Sequence, residues 1–272
     1  MVLSVNTNVG AMIALQNLNT TNREMAEVQS RINTGLKVAG PKDDGAVYAI
    51  AQNMRGEISG FNAVKTALDN TVSVVDIAIS AGEAISDLLI QMKEKAVAAL
   101  DQSLKTASRN ALQSDFVALR GQIQTIAENA NFNGFNLIDG STSSLLALAN
   151  PDGDTITVSA QDLTVSNGLG VTSHDLTTAT SATAALSAVT AAIETTNSRL
   201  ALLGTRAKTL DIHSNFVGKL LDSLNTGVGN LVDADMAAES ARLQALQIKQ
   251  QLGTQALSIA NQAPQQILSL FG

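Results

Sequence analysis

Residues 231–263 read LVDADMAAESARLQALQIKQQLGTQALSIANQA, and apolar side chains recur in them in steps of three and four. This spacing places a stripe along one side of a helix and is typical of a coiled-coil seam. After Lys249 the chain has no charged residue, whereas a solvated helix normally carries Lys and Glu on its outer face. The pattern therefore predicts a helix that other helices enclose. The stripe consists of Ala234, Ala238, Ala241, Ala245, Ile248, Leu252, Ala256, Ile259 and Ala263.

The other end of the chain has the same character. Between Met1 and Leu36 the charged residues are two arginines and two glutamates, Arg23, Glu24, Glu27 and Arg31. Neither terminal stripe has a partner within its own segment, so we expect the two ends to pack on each other or on other copies. The N-terminal stripe consists of Ala11, Leu15, Leu18, Asn22, Met25, Val28 and Ile32.

Three further helical tracts are predicted between the ends, over Asp44 to about Leu100, about Leu104 to Ala130, and Val189–Leu231. Gly35 and Pro41 end the first helix, and Asp43 or Asp44 can cap the next one. From Leu231 to Ala234 the spacing is three residues, whereas the alternation of three and four calls for four at this point. It marks a change of packing partner, a local overwinding or a break.

The middle of the chain has a different pattern. Asn133-Gly134, Asp139-Gly140 and Asn150–Gly153 are turn signals, and residues 155–158 and 163–165 alternate as strands do. Residues 166–183, rich in Ser, Thr, Gly and Ala, are expected to form an exposed loop. The predicted fold is mainly α: a long antiparallel helical bundle or coiled coil with both termini paired, and a small β-hairpin region in the middle. We expect one discontinuous terminal domain, residues 1–40 with 235–272, and an inner domain, 41–234, with its hairpin and loop at about 131–188.

Composition excludes several classes of function. Of the 272 residues 45% are hydrophobic, but Trp is absent and Tyr occurs once, so the apolar residues suit helix packing better than a substrate pocket. The net charge of −7 opposes nucleic-acid binding, and Cys is absent. No apolar segment is long enough to span a membrane. Met1–Asn8 lacks the features of a cleavable signal peptide, so export by another route is expected.

No residue set predicts catalysis, a cofactor or a metal. His174 and His213 are the two histidines, and neither lies at metal-ligand spacing from a second ligand. Asp152-Gly153-Asp154 lacks the later ligands of a calcium loop and is interpreted as a turn.

Several segments resemble bacterial flagellin. Ser4–Asn8 and Gln16-Asn17-Leu18 are similar to the first residues of the family. Arg31–Leu36 and Lys42-Asp43-Asp44 resemble the end of its first helix and the spoke segment that follows. Phe132-Asn133-Gly134 resembles its helix-to-hairpin turn. The most specific segment is the tail, Gly253–Ala256 and Ala260–Gln265 through Ile267–Leu270. The resemblance spans roughly residues 1–140 and 190–272.

The resemblance implies a structural subunit that self-assembles into the extracellular flagellar filament used for swimming. Its implied partners are other copies, hook-associated junction and cap proteins, the flagellar export apparatus and an export chaperone, with no nucleic acid and no membrane. Two alternatives stay open: a hook-filament junction protein of the same architecture, and a surface adhesin or binding protein. An enzyme is not expected, because the metallopeptidase motif that some flagellins carry is absent.

Under this resemblance, the terminal domain forms the filament core. The segment Ile90–Val97 resembles the stretch recognised by the vertebrate innate flagellin receptor, but Gln91 replaces the usual Arg and Lys95 replaces a Leu. Asp115, outside this stretch, is grouped with Gln91 and Lys95 as a candidate residue of the receptor site. The residues predicted to make filament-core contacts are Leu15, Leu18, Met25, Ile32, Ile248, Leu252, Ile259, Ile267 and Leu270.

Overall fold

The computed structural model describes residues 7–268, and side chains as far as Gln262. The described chain is mainly helical with two small antiparallel sheets, as the sequence predicts. None of its helices is both long and apolar enough to cross a membrane. The elements in order are α1 (Val9–Thr34), α2 (Gly45–Ala98), α3 (Thr106–Asn129), β1 (Asn131–Phe132), β2 (Phe135–Asn136), β3 (Ser144–Leu148), β4 (Thr155–Ser159), α4 (Ala179–Val232) and α5 (Met236–Leu268).

Local signals account for the helix ends. The Asn8 side chain accepts a hydrogen bond from the backbone N–H of Ala11 and caps α1. Gly35 ends α1 with a φ of 71°, a left-handed conformation that glycine adopts without strain. The Asp44 carboxylate caps α2 by accepting from the N–H groups of Ala46 and Val47. The irregular step after Leu231 is a break, because α4 ends at Val232 and α5 begins at Met236.

The chain divides into two compact units. Unit 1 is Met1–Gly56 with Ser223–Gly272, and unit 2 is Glu57–Asp222. In unit 1 the end of α1 is tied to the break between α4 and α5, because the N–H groups of Lys37 and Val38 donate to the carbonyl of Val232. The N–H of Ala234 donates in turn to the carbonyl of Gly35, at 2.9 Å.

Unit 2 holds the main hydrophobic core. The heptad series predicted for α4 lines it, with Val189, Thr196, Leu203, Leu210 and Val217 all buried. At Gly82 an ideal Cβ would lie 2.6 Å from Cδ2 of Leu200, so this glycine lets α2 and α4 approach closely. The side chains of α2 and α3 that complete the core are Leu68, Val75, Ile85, Leu89, Met92, Phe116 and Ile123.

The strand prediction is correct for β4 and wrong for residues 163–165. The partner of β4 is β3, with Leu145 paired to Val158 and Ala147 to Ile156. Leu163 and Val165 are buried, but they lie in no strand. The N–H of Leu163 donates to the carbonyl of Ile138 and that of Val165 to Oε1 of Gln124, so both residues are buried without strand pairing.

The exposed loop predicted over residues 166–183 is also wrong in part. Leu169, Val171 and Leu176 are buried in the core, and α4 begins at Ala179, ahead of the expected Val189. Helix α3 holds this segment in place: Oε1 of Gln113 accepts from the N–H of Leu176. The small and polar residues between the apolar anchors hid this packing from a composition-based prediction.

Candidate assembly surfaces

Helices α1 and α5 pack against each other as an antiparallel pair. Nδ2 of Asn8 donates to the carbonyl of Ala260 at 2.7 Å, near the start of α1 and far along α5. In the middle, Nε2 of Gln250 donates to Oδ1 of Asn22 at 2.8 Å. Near the end of α1 and the start of α5, Nη1 of Arg31 forms an ion pair with Oε1 of Glu239 at 3.2 Å. The predicted pairing of the two chain ends is therefore confirmed.

The seam between the two helices mixes large apolar side chains with small and polar ones, and few of them are fully buried. Val28 and Leu246 are the only fully buried side chains in the described parts of α1 and α5. Gly253 allows close approach, since its ideal Cβ would lie 3.3 Å from Cδ1 of Leu18. The stripe that faces α1 from α5 is Glu239, Leu243, Leu246, Gln250, Gly253, Leu257 and Ala260, and its counterpart on α1 is Ala11, Ala14, Leu18, Thr21, Met25, Val28 and Ile32.

The apolar stripe predicted on α5 is a different one, and it faces away from α1. Ile248, Leu252 and Ile259 are 58%, 64% and 60% exposed. Sequence spacing alone could not separate two stripes of the same period, and it missed the one that contains Leu243, Leu246 and Leu257 together with Gly253. Helix α5 thus has one apolar side facing α1 and a second one in solvent.

Helix α1 also exposes large apolar side chains. Val9, Met12, Ile13 and Leu15 are about half or more exposed and border a shallow groove of about 950 Å³. The groove continues along α1 past Asn19 and Asn22 to Ala26. Leu15, predicted as a seam residue, belongs to this free face, because Ala14 takes its place beside α5.

The residues predicted for filament-core contacts fall into two groups within the pair. Leu15, Ile248, Leu252 and Ile259 lie on the free faces. Half-buried in the α1–α5 seam are Leu18, Met25 and Ile32. The side chain of Ile267, at the end of α5, and Leu270 lie outside what the structure describes.

Charged groups at the base of the pair form a small network that sequence reasoning missed. Arg31 donates to Oε1 of Glu239 across the helices and to Oε1 of Glu27 one turn earlier on α1. The second carboxylate oxygen of Glu239 is buried without a hydrogen-bond partner among the described groups. The i, i+4 spacing of Glu27 and Arg31 was the one sequence signal for this network.

The His, Asp and Glu side chains of the described residues do not gather into one site. No cluster of three His, Asp or Glu side chains in residues 7–268 could hold a metal ion. His213 places Nε2 at 2.8 Å from the carbonyl of Ala149, which anchors the β3–β4 turn to α4. The pKa of Asp175 is lowered because the side chains of Ser181 and Thr177 donate hydrogen bonds to its carboxylate, next to the start of α4.

Comparison with known families fits this architecture. Residues 5–143 match the bacterial flagellin N-terminal helical region, and residues 186–271 match the bacterial flagellin C-terminal helical region. The chain belongs to the bacterial flagellin family. Flagellin FljM of Caulobacter vibrioides is 55% identical over 269 residues, 98% of each chain. A flagellin of Brucella melitensis is 38% identical over 280 residues, 98% of this chain and 99% of the relative.

Solved structures support the fold of this flagellin family member. Bacillus cereus flagellin matches with a TM-score of 0.51 and 24% identity, over 56% of this chain and 88% of its own. A putative flagellar hook-associated protein from Vibrio parahaemolyticus matches with a TM-score of 0.59 and 13% identity, over 70% and 100%.

The segment that resembles the flagellin receptor site lies on α2, with Met92 and Ala96 buried and Ile90, Gln91 and Glu94 exposed. Gln91 points into solvent, and Nζ of Lys95 donates to Oδ2 of Asp115 on α3 at 2.8 Å. The pKa of Lys95 is raised above its usual value because of this hydrogen bond and the negative charge of Asp115. The lysine that replaces the family's Leu is thus tied to α3.

Proposed function

We propose that this chain is the structural subunit of the flagellar filament, and that its terminal domain, residues 1–40 with 235–272, forms the filament core. The observation that carries the proposal is the pair of free apolar faces on α1 and α5, which include Leu15, Leu252 and Ile259. Two different faces on one subunit make heterologous contacts, and such contacts give an open helical polymer when the rotation does not close. The proposed core contacts are the residues named above for these ends, with Ile267 and Leu270 at the end of the chain.

The composition of the α1–α5 seam supports ordering of these ends on assembly. In the described parts of the two helices only Val28 and Leu246 are fully buried, while large apolar groups such as Ile13 and Leu252 face outward. Apolar burial must offset the entropy of ordering both helices. In the isolated subunit this offset is small, so neighbouring copies supply the missing burial. An extended end also suits export through a narrow channel.

Salt-induced polymerisation of the purified chain tests the proposal. The full-length chain should form long filaments visible by electron microscopy. A chain ending at Met236, without residues 237–272, should stay monomeric, because it lacks both faces of α5. Absence of filaments from the full-length chain, across salt and precipitant conditions, would overturn the proposal.

A hook-filament junction protein is the second candidate. The match to the Vibrio parahaemolyticus hook-associated protein, at 13% identity, shows a shared fold. Identity of 55% to a flagellin over 98% of both chains favours the filament subunit. A junction protein would form short caps of few copies in the same polymerisation experiment.

The further partners follow from the proposed role. Hook-associated junction and cap proteins would contact the two ends of the filament, and the export apparatus with an export chaperone would deliver the subunit. Its place is the extracellular flagellum. We propose no enzymatic activity, cofactor or metal, in keeping with a structural protein family.

Weak activation of the innate flagellin receptor is expected. Gln91 lacks the forked guanidinium of the Arg it replaces, and Lys95 presents a charge held by Asp115 in place of an apolar contact. Restoring both family residues, by Gln91→Arg with Lys95→Leu, should raise the potency of the monomer at least about tenfold in a cell reporter assay. Strong signalling by the unmodified chain at trace concentration would contradict this.

A further inference from the structure

Met12 lies at the centre of the free face of α1. Its side chain is 62% exposed. Gln16, Asn19 and Arg23 follow it at helical spacing on the same side, and all four residues border the groove described above. Helix α5 contacts the other side of α1, at residues such as Leu18. The Met12 thioether is therefore open to solvent in the single subunit.

The other methionines that the structure describes are better protected. Met92 is fully buried in the core of unit 2, and Met25 and Met54 are half-buried. Met236, the first residue of α5, is 43% exposed, but it lies beside the α1-facing stripe and off the free apolar stripe of that helix. Among these residues, Met12 alone combines the highest exposure with a position on a free apolar face.

An exposed thioether is open to oxidation by peroxides and hypohalous acids. Hydrogen peroxide transfers one oxygen atom to the sulfur: an S–O bond forms, the O–O bond breaks and water leaves. The sulfur loses two electrons, which the peroxide takes up. The product, methionine sulfoxide, is polar and accepts hydrogen bonds, whereas the thioether is flexible and apolar. Because Met12 faces water in the single subunit, its sulfoxide stays solvated there and leaves the fold unchanged.

We propose that Met12 is an oxidation site that controls assembly: its sulfoxide keeps the free subunit out of the polymer, and the polymer protects its thioether. The proposal rests on the proposed function, in which neighbouring copies enclose the free faces of α1 and α5. Enclosure would strip water from the sulfoxide oxygen beside the apolar side chains of Val9 and Ile13, which line the same groove. Methionine sulfoxide reductases restore the thioether, so the block is reversible.

Peroxide treatment before polymerisation tests the site. Full-length monomer is treated with hydrogen peroxide, quenched with catalase and then polymerised with salt. Peptide mass spectrometry should show sulfoxide at Met12 forming at least about tenfold faster than at buried Met92. Met1 shares a tryptic peptide with Met12, so fragment spectra localise the oxygen. The critical concentration should rise at least about tenfold, and methionine sulfoxide reductases for both epimers should reverse the rise. Preformed filaments treated in the same way should carry at least about tenfold less Met12 sulfoxide than monomer.

Two leucine variants assign the effect to Met12. Met12→Leu keeps the apolar character without the thioether, so it should polymerise within about threefold of the unmodified chain both before and after peroxide. The matched control is Met236→Leu, which removes the other exposed methionine of the described chain and should still lose polymerisation after peroxide. Met12→Gln places a polar group at the site permanently. It should block polymerisation without peroxide, and circular dichroism should show that its monomer keeps its helices.

Normal polymerisation of chains that carry Met12 sulfoxide would overturn the proposal. So would peroxide-treated Met12→Leu that loses polymerisation as the unmodified chain does, because the damage would then lie elsewhere. Equal oxidation of Met12 in monomer and in filaments would contradict its protection by the polymer. These outcomes leave the filament role intact, since the untreated chain still polymerises. If the untreated chain forms no filaments, the filament role fails and this proposal fails with it.

Discussion

Replacing Leu252 or Ile259 by aspartate is expected to give a soluble, mostly helical monomer that does not form filaments. Both side chains face solvent in the subunit, at 64% and 60% exposure, so aspartate meets no desolvation cost there. In the polymer we propose that neighbouring copies enclose this face. Burying a carboxylate without a partner then costs at least about 3 kcal/mol per subunit. That is more than about a hundredfold in the critical concentration for polymerisation.

The matched control is Ser258→Asp, which adds the same charge beside Ile259. Ser258 is exposed, but it lies off both the α1-facing stripe and the free apolar stripe of α5. Its filaments should form with a critical concentration within a few fold of the unmodified chain. Sedimentation and electron microscopy after salt addition measure the polymer, and circular dichroism shows that each monomer keeps its helices. Ordinary filaments from Leu252→Asp and Ile259→Asp would falsify the role assigned to this face.

Much of the fold could be predicted from sequence because most helices here carry one dominant apolar period. The caps at Gly35 and Asp44 set helix ends locally, and the heptad series on α4 identifies that helix, although not its start at Ala179. The β3–β4 pairing was missed. Strand β3, SLLAL, lacks a clean alternation, and its partner is chosen by the turn at 149–154 and by burial of Ala147 and Val158.

The assembly surfaces were predictable only in part for a related reason. On α5, two stripes of similar period lie on different sides of one helix. The stripe predicted from spacing, with Ile248, Leu252 and Ile259, is exposed, whereas the stripe that faces α1 contains Leu243, Leu246 and Leu257. The stripe that α1 actually contacts is identified by Gly253 and Gln250, which pack or hydrogen-bond only once a partner is present. Periodicity shows that a helix has an apolar face, and tertiary contacts decide which face is internal.

Replacing Asn136 by leucine is expected to destabilise unit 2 strongly, although the two side chains have similar volume. Asn136 is 4% exposed, and its Nδ2 donates to the carbonyl of Ala127 at 2.7 Å, at the end of α3. Its Oδ1 accepts from the N–H groups of Ile138, at 2.8 Å, and of Asp139, at 3.2 Å. The Asn136 amide thus supplies hydrogen-bond partners both to a carbonyl in the last turn of α3 and to two N–H groups at the start of the loop after β2.

Leucine would leave these backbone groups buried without partners, and each such group costs about 1–3 kcal/mol. We expect a total loss of about 2–4 kcal/mol, which lowers the melting temperature of a unit of this size by about 5–15 °C. Asn131 offers a matched control, because it pairs with Asn136 across the β1–β2 hairpin but is exposed. Asn131→Leu should change the free energy of unfolding by no more than about 0.5 kcal/mol. Thermal unfolding of the monomer, followed by circular dichroism, separates the two variants, and equal stability would show that the buried amide does not hold α3 to the loop.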